Sequence, residues 1–467
     1  MRRIGLDNRV CMDTVPVTRT RPTQGGLKKL ANWGNYPVIE ALEESFASAT
    51  ELKGMLAGAH GTTRVIARGN GRCYGDSSLA GMVVSTLRHG RFLSFTESSG
   101  ELACQSGVML KEILDTFVPR GWFLSVTPGT KFITVGGAIA SDVHGKNHHA
   151  DGSFSRYVAS MQLMLASGEV VLCSRETNCE LFEATCGGMG LTGVILSATI
   201  RLRRIATAFI RQETAKARNL AEIMELFEKS ATWSYSVAWI DCLSQSGQGG
   251  RSILFRGEHA SPHEAGGASP LRIPPRHTIN LPFFLPAAML NGFTVRAFNA
   301  AYYACATKGA ATAIVDYDAF FYPLDGILHW NRIYGRNGFV QYQFVLPKAS
   351  AAKGLAEILR KISSGGQGSF LAVLKLLGKG ENLISFPMEG YTMALDFPVT
   401  KKLFPLLEEL DKMVIEYGGR LYLAKDSRMG AATFNAGYPN APEFRRLRGR
   451  LDPAGIFGSL QSARLGI

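Results

Sequence analysis

A glycine-rich segment between residues 67 and 77 has the residue types and spacing of an anion-binding loop. It consists of Ala67, Arg68, Gly69, Asn70, Gly71, Arg72, Cys73, Tyr74, Gly75, Asp76 and Ser77. Its three glycines follow a predicted strand and let backbone N–H groups turn inward around a negative charge, and the two arginines can add positive charge. The spacing is not that of the dinucleotide-binding fingerprint, and no Walker lysine follows. The segment predicts a phosphate cradle, with an ordinary tight turn as the alternative.

A second segment of small residues, 128–149, ends in side chains that can meet a ligand. Its glycines allow the backbone to approach that ligand closely. His144, His148 and His149 fall within six residues, but no carboxylate or thiol set stands in ligand register, so we expect no metal. A structural loop with solvated histidines is the alternative. Together with a third glycine-dense stretch, Cys186–Gly193, these loops predict a long ligand that carries phosphates and a flat ring system.

The elements that must position these loops lack the regular alternation of a doubly wound sheet. Strands are predicted at 64–67, 82–87, 92–95, 102–108, 122–126 and 194–202, a hairpin over 157–173, and helices at 37–59, 109–117 and 179–185. We therefore expect an α+β fold.

The composition shifts near residue 205, where a second region begins. Residues 245–290 are rich in Gly, Ser, Pro and His and predict a long mobile loop. Its apolar end, 281–290, either packs on the core or forms a flap beside an active site. Strands are predicted at 339–347, 391–397 and 420–424, and a helix at 404–417. In the first of these strands Gln341 and Gln343 share one face because side chains alternate.

The bulk composition narrows the class of protein. The chain has 467 residues, a net charge of +13 and 46% hydrophobic residues, as expected of a folded protein with anionic partners. It has neither zinc-finger spacing nor a long basic arm, so we expect no nucleic-acid partner. Its eight cysteines form no CxxC pair, which indicates reduced thiols. We find no secretory signal and no membrane span, and expect a cytoplasmic protein, with peripheral contact at the inner membrane left open.

The two loops, read as RGxGRxYGD and as PGT–TVGGAIA–DxHGKNHH, resemble the FAD-binding domain of the vanillyl-alcohol-oxidase (PCMH-type) flavoproteins. More narrowly, the sequence resembles the decaprenylphosphoryl-β-D-ribose 2-oxidase subgroup of that family. The similarity runs from about Trp33 to the C-terminus, through WNRIYG (330–335), ISFPMEGY (384–391) and GGRLYLAKDSR (418–428). It implies an FAD-binding domain at 20–206 and 420–467, with an inserted antiparallel-sheet substrate domain at 207–419.

The resemblance also implies roles for individual residues. FAD, held non-covalently, would contact the whole 67–77 segment and a further set: Gly129, Thr134, Val135, Gly136, Gly137, Ser141, Asp142, Val143, His144, Ile195 and Tyr422. The substrate pocket would contain Lys146, Gln341, Gln343, Lys375 and Thr392. Lys425 would serve as the base or position the hydroxyl, and His144 occupies the place where many relatives attach flavin covalently. A plain salt bridge at Lys425 is the alternative.

The activity implied is oxidation of the C2′ hydroxyl of a polyprenylphosphoryl-ribose, a lipid-linked sugar phosphate, with a short-chain reductase as partner. An oxygen-using aldonolactone or sugar-alcohol oxidase is one alternative, and a non-catalytic basic binding protein is another. Mycobacterial members of the subgroup carry a cysteine where this sequence has Ala394, an asparagine in place of Thr392 and a tyrosine in place of Phe321. Oxidation does not need that cysteine, but these changes leave the preferred lipid and sugar open.

Overall fold

A computed structural model describes residues 26–59, 63–244, 250–266, 269–286, 290–306, 311–365, 368–369 and 371–467. The strands are β1 Leu27–Leu30, β2 Ile39–Ser45, β3 Val65–Arg68, β4 Met82–Ser85, β5 Phe92–Thr96, β6 Glu101–Gln105, β7 Trp122–Leu124, β8 Val158–Met164, β9 Val170–Ser174, β10 Val194–Arg204, β11 Phe209–Ala217, β12 Tyr235–Ile240, β13 Ser252–His259, β14 Ile279–Asn280, β15 Ala311–Asp316, β16 Ile327–Leu328, β17 Phe339–Pro347, β18 Ala372–Leu377, β19 Gly390–Pro398 and β20 Arg420–Leu421. The helices are α1 Ala49–Gly58, α2 Leu110–Phe117, α3 Val135–Ala140, α4 His148–Asp151, α5 Cys179–Thr185, α6 Leu220–Lys229, α7 Pro262–Ala265, α8 Gly292–Cys305, α9 Tyr317–Phe321, α10 Lys348–Ser364, α11 Leu403–Glu416, α12 Ala431–Gly437, α13 Ala441–Leu451 and α14 Leu460–Leu465. No helix within these ranges is long and apolar enough to cross a membrane.

The strands form separate sheets, with helices packed on them, so the α+β expectation is confirmed. One sheet has the order β1-β2-β4-β3 and another the order β5-β6-β10-β8-β9, with β7 beside β10. The predicted hairpin is confirmed, since β8 and β9 pair antiparallel. The largest sheet has the order β15-β11-β13-β12-β18-β19-β17-β20, and its neighbours all pair antiparallel.

The helix expected over 37–59 is wrong in its first half. Residues Ile39–Ser45 form β2, which pairs with both β1 and β4, and this pairing prevails over the helical spacing of the apolar residues. The helix begins only after Ser48, whose Oγ accepts a hydrogen bond from the backbone N–H of Glu51 at 3.2 Å. A polar N-cap thus marks the boundary that periodicity alone did not give.

The mobile loop expected over 245–290 is also wrong where β13 lies. That strand pairs along its length with β11 on one side and β12 on the other, inside the largest sheet. The strand itself contains Gly257 and is flanked by Gly, Ser and Pro, and these turn residues hid it in the sequence. Of the apolar end, 281–290, residues 287–289 lie outside the described ranges. Phe283 is 61% exposed, and Leu285 donates its backbone N–H to the carbonyl of Arg332.

The C-terminal stretch touches both halves of the chain. Strand β20 pairs with β17 in the largest sheet. Farther on, the backbone N–H of Val65 donates to Ile456, and that of Gly458 donates to Val65, so this part runs beside β3. The division into domains at 206 and 420 stays a prediction, but the stretch is placed to hold residues 422–428 against the loops that follow β3.

Candidate functional site

A cavity of about 720 Å³ is bordered by the glycine-rich loops and by one face of the largest sheet. Most of the candidate residues border it: Ala67, Arg68, Gly69, Asn70, Gly71, Arg72, Cys73, Tyr74, Ser77, Gly129, Thr134, Gly136, Gly137, Ser141, Val143, His144, Lys146, Ile195, Gln341, Gln343, Lys375, Thr392, Tyr422 and Lys425. Its volume is within the range of small-molecule and cofactor sites. Residues from opposite ends of the sequence, such as Ala67 and Lys425, thus share one space.

Four candidate cofactor residues do not border the cavity: Gly75, Asp76, Val135 and Asp142. A Cβ on Gly75 would overlap the carbonyl oxygen of Asp426, so this glycine permits close packing of two backbone segments. Val135 is buried in the core at the start of α3. Asp142 accepts hydrogen bonds from Ser385 and from the backbone N–H of Ser155, at 2.5 and 3.1 Å. These four residues therefore lie on the side of the loops away from the cavity and stabilise the conformation of the loops.

The two loops predicted to hold the cofactor touch each other. A Cβ on Gly69 would overlap Thr134 Oγ1, and Gly71 has a φ of 58°, which favours glycine. Asn70 Nδ2 donates to the carbonyl of Phe132 at 2.8 Å, and Thr134 Oγ1 accepts from the backbone N–H of Gly137 at 3.2 Å. Each loop therefore fixes the other, and both present backbone to the cavity.

Several polar atoms at the cavity wall have no hydrogen-bond partner among the described residues. They are Arg72 Nε, Ser106 Oγ and His144 Nδ1, each in a residue that borders the cavity. The Arg72 guanidinium also lies 3.9 Å from the centre of the Trp33 ring. Buried polar groups normally have partners, so these atoms indicate a polar ligand. The glycine-lined loops, an arginine and aromatic surfaces fit a dinucleotide with a flat ring system such as FAD.

His144 lies among aromatic rings at one wall of the cavity. Its ring centre is 5.2 Å from that of Tyr422 and 5.5 Å from that of Phe386. Gln343 Nε2 donates to its Nε2 at 3.1 Å, which assigns the ring proton to Nδ1. Burial, with Lys375 nearby, holds the pKa of His144 well below its usual value, so the ring is neutral. The other histidines of this segment are engaged: His148 with Ser153 and the N–H of Gly378, His149 with the carbonyl of Trp233.

Three lysines border the cavity on the side of the largest sheet. Burial and the charge of Lys375 lower the pKa of Lys146 to about 7, and burial lowers that of Lys375 to about 8. Burial also lowers the pKa of Lys425 to about 7, against the opposing attraction of Asp396. The Lys425 Nζ lies 3.6 Å from the centre of the Tyr74 ring. Amines with pKa values near neutrality can exchange a proton at physiological pH or bind an anion.

Two glutamines of β17 face the same space and are fixed by neighbouring strands. Gln341 Nε2 donates to Asp396 at 2.6 Å, and Gln343 Nε2 donates to Thr392 Oγ1 at 3.2 Å. Burial raises the pKa of Asp396 to about 7. Alternation along β17 predicted that the glutamines share a face, and the structure confirms it.

Behind Lys425 lies a group of buried charges that we call the paired cluster: Asp76, Asp426 and Arg464. Arg464 lies 2.8 Å from Asp76 and 3.0 Å from Asp426. Asp426 also accepts the backbone N–H groups of Arg428 and Met429, at 3.0 and 2.7 Å. The cluster ties the segment that carries Lys425 to the first glycine-rich loop and to α14.

Sequence reasoning missed most of the aromatic wall of the cavity. The additional lining residues include Trp33, Phe132, Trp239, Phe298, Tyr302, Phe320 and Trp330. The alternation of β12 could have placed Trp239 on the face of Val237, but nothing local to Trp33 or Trp330 signals a ligand. The third glycine-dense stretch was noticed, and its Gly190 and Gly193 do border the cavity.

Comparisons with known proteins identify the family. A family profile described as FAD binding domain matches residues 47–174. The chain is 37% identical over 449 residues to the decaprenylphosphoryl-beta-D-ribose oxidase of Mycolicibacterium smegmatis, covering 94% of this chain and 97% of that protein. It is 33% identical to an uncharacterised Streptomyces coelicolor protein, covering 77% of this chain and all of that protein. The similarity to bovine L-gulonolactone oxidase is 26% and covers 42% of this chain and 44% of that enzyme.

Proposed function

This chain belongs to the decaprenylphosphoryl-β-D-ribose oxidase family and is an FAD-dependent oxidoreductase, and from that premise we propose that it oxidises the C2′ hydroxyl of a polyprenylphosphoryl-β-D-ribose to the keto sugar. One observation supports this substrate class above all. Three lysines with lowered pKa values border the same cavity as the glycine-rich loops, where they can meet both a phosphodiester and a sugar hydroxyl.

The loops 67–74 and 129–144 would hold FAD, without a covalent bond, through backbone N–H groups, Arg72 and the ring of Tyr422. Bound FAD supplies the electron sink that takes the hydride from the sugar carbon. His144 is neutral and accepts from Gln343, so it keeps the wall of the cavity in one arrangement rather than adding charge. Gln341, fixed by Asp396, presents its remaining amide atoms to the sugar.

Lys425 would accept the hydroxyl proton as the hydride leaves. With a pKa of about 7, a substantial fraction of its amine is neutral at physiological pH and can act as a base. Lys146 and Lys375 would bind the phosphodiester as point charges, which raises their own pKa values when the anion is present. Thr392 holds Gln343 at the sugar end.

The test is anaerobic reduction of the bound flavin by a short prenylphosphoryl-ribose, followed by the loss of flavin absorbance. We expect reduction in the wild type and a rate lower by about 10²–10⁴ in Lys425→Ala, the range for loss of a general base. Lys379→Ala, which removes an exposed lysine on the segment after β18, is the matched control and should react like the wild type. Reduction by free aldonolactones but not by the lipid phosphate would assign the enzyme to the small-sugar oxidases.

We infer two interactions from this chemistry. The keto sugar has to be reduced to give the arabinose form, so a separate short-chain reductase would consume the product. The net charge of +13 and the exposed ring of Phe283 also favour peripheral contact with an anionic membrane surface that holds the lipid. Unchanged sedimentation of Phe283→Ser with anionic vesicles would count against membrane contact through this ring.

A further inference from the structure

The cavity does not end at the lysines but continues along the largest sheet. Side chains on one strand alternate in direction, so Lys375 and Val373 of β18 lie on the same face, and both border the cavity. Trp239 of β12 stands directly opposite Val373 in the antiparallel register and borders it as well. From the charged end, the wall therefore becomes apolar within two residues of strand.

Helix α8 extends this apolar wall towards solvent. The Tyr302 ring meets Trp239 edge to face, with centroids 4.9 Å apart, and Phe298 stacks on Tyr302 at 5.9 Å. These two residues are one helical turn apart and share a face of α8. Tyr302 is 41% and Phe298 48% exposed, and both border the cavity. The rings form a continuous path from the sheet to the surface.

The helix is held in this place by a buried polar contact of Asn299, which lies one helical turn before Tyr302. Asn299 is fully buried, and its Nδ2 donates to Asp241 Oδ1 at 2.7 Å. Asp241 is in turn bound by Arg251 at 2.8 Å. This anchor fixes α8 on the sheet, so Phe298 and Tyr302 keep their positions beside Trp239.

We propose that the path formed by Val373, Trp239, Tyr302 and Phe298 is the binding site for the first isoprenoid units of the lipid phosphate. This rests on the proposed function, since Lys146 and Lys375 must hold the phosphate at the inner end. A phosphodiester held there leaves the attached chain at the start of the apolar path, and only an apolar chain gains by covering these rings. A free sugar phosphate would leave the path empty.

The experiment compares two substrates, a prenylphosphoryl-ribose with several isoprene units and one with a single unit. The readout is the ratio of their kcat/KM values at a fixed detergent concentration. We expect Phe298→Ser and Tyr302→Ser each to lower this ratio about tenfold, equivalent to ~1.4 kcal/mol. Phe298→Leu, which keeps an apolar surface, should restore most of it. Phe293→Ser is the matched control, because Phe293 is 80% exposed on the same helix and does not border the cavity.

The outcomes separate this proposal from the proposed function. An unchanged ratio in Phe298→Ser and Tyr302→Ser, with an active wild type, would overturn the isoprenoid path alone. An equal fall in Phe293→Ser would also overturn it, because the effect would then belong to the exposed surface of the helix. If neither substrate reduces the flavin in the wild type, the proposed function fails, and the isoprenoid path fails with it.

Discussion

Two groups of charged side chains lie close to the candidate site, and they differ in whether an opposite charge is paired with them. In the paired cluster, Arg464 lies between two carboxylates, at 2.8 Å from Asp76 and 3.0 Å from Asp426. In the lysine group, Lys146, Lys375 and Lys425 form no salt bridge within the part of the chain that the structure describes. Burial instead lowers the pKa of Lys146 and of Lys425 to about 7 and that of Lys375 to about 8.

The presence or absence of salt bridges distinguishes charged groups that stabilise the fold from charged groups that are available to bind a ligand. An ion paired inside the protein is satisfied there and fixes the backbone around it, whereas a buried cation without a carboxylate is costly until an anion arrives. Even with Arg464 beside it, burial raises the pKa of Asp76 to about 6. The paired cluster should therefore matter mainly for stability and the lysine group mainly for activity.

The largest effect should come from breaking the paired cluster. Arg464→Met would leave two buried carboxylates without their cation and should lower the free energy of unfolding by about 3 kcal/mol. The measurement is urea denaturation of the FAD-saturated protein. Arg450→Met is the control, because Arg450 pairs with Glu180 at the exposed surface and should cost under about 1 kcal/mol. If both variants lost the same unfolding free energy, the buried paired cluster would contribute no more to stability than an exposed salt bridge.

For the lysine group we expect a loss of substrate binding without a loss of stability. Lys375→Met removes a cation that forms no salt bridge with any described carboxylate, so stability should be unchanged or higher. The KM for the lipid phosphate should rise about 10- to 100-fold, as for loss of one hydrogen bond to a charged group. Steady-state kinetics and urea denaturation on the same preparations measure both quantities. Lys379→Met is the control, and a loss of stability in Lys375→Met but not in the control would contradict the contrast.

The two groups also differ in how far the sequence revealed them. The glycine-rich loops and the family resemblance were enough to identify Lys146, Lys375 and Lys425 as candidates from the sequence alone. The same reasoning placed Asp76 among the cofactor ligands, whereas the structure binds it to Arg464, 388 residues away. The local sequence shows which side chains could bind a ligand or take part in a reaction. Whether such a side chain instead forms a buried ion pair depends on how distant segments of the chain pack together.

The fold shows the same limit. The strand β17 and the helix α5 have the bounds that the sequence predicted, and in β17 the apolar residues continue over nearly the whole nine-residue strand. The strand β13 was missed because its flanks carry turn residues, and its position is decided by β11 and β12 on either side. For the same reason, the sequence did not predict the aromatic part of the cavity wall. The rings of α8 border the cavity only because tertiary contacts place that helix on the sheet.

The smallest effect, and the most specific to the lysine group, is a pH dependence of stability. The folded-state pKa of Lys146 is about 7, whereas that of an unfolded lysine is about 10.4, so the unfolded chain binds more protons between these values. Stability therefore rises with pH in this range, by at most ~1.4 kcal/mol per unit for one group. Other groups titrate there too, since burial also raises the pKa of Cys104 to about 12, which acts in the opposite direction.

The difference between the wild type and Lys146→Met isolates the lysine. Between pH 7.0 and pH 8.5, the unfolding free energy of the wild type should gain about 1 kcal/mol relative to Lys146→Met, roughly half the upper limit because the side chain borders the cavity. Urea denaturation of both proteins at the two pH values, with saturating FAD, measures this gain. Lys379→Met should run parallel to the wild type. If Lys146→Met also runs parallel, Lys146 carries its charge in the cavity at little cost, and the distinction between the two groups of charges no longer holds.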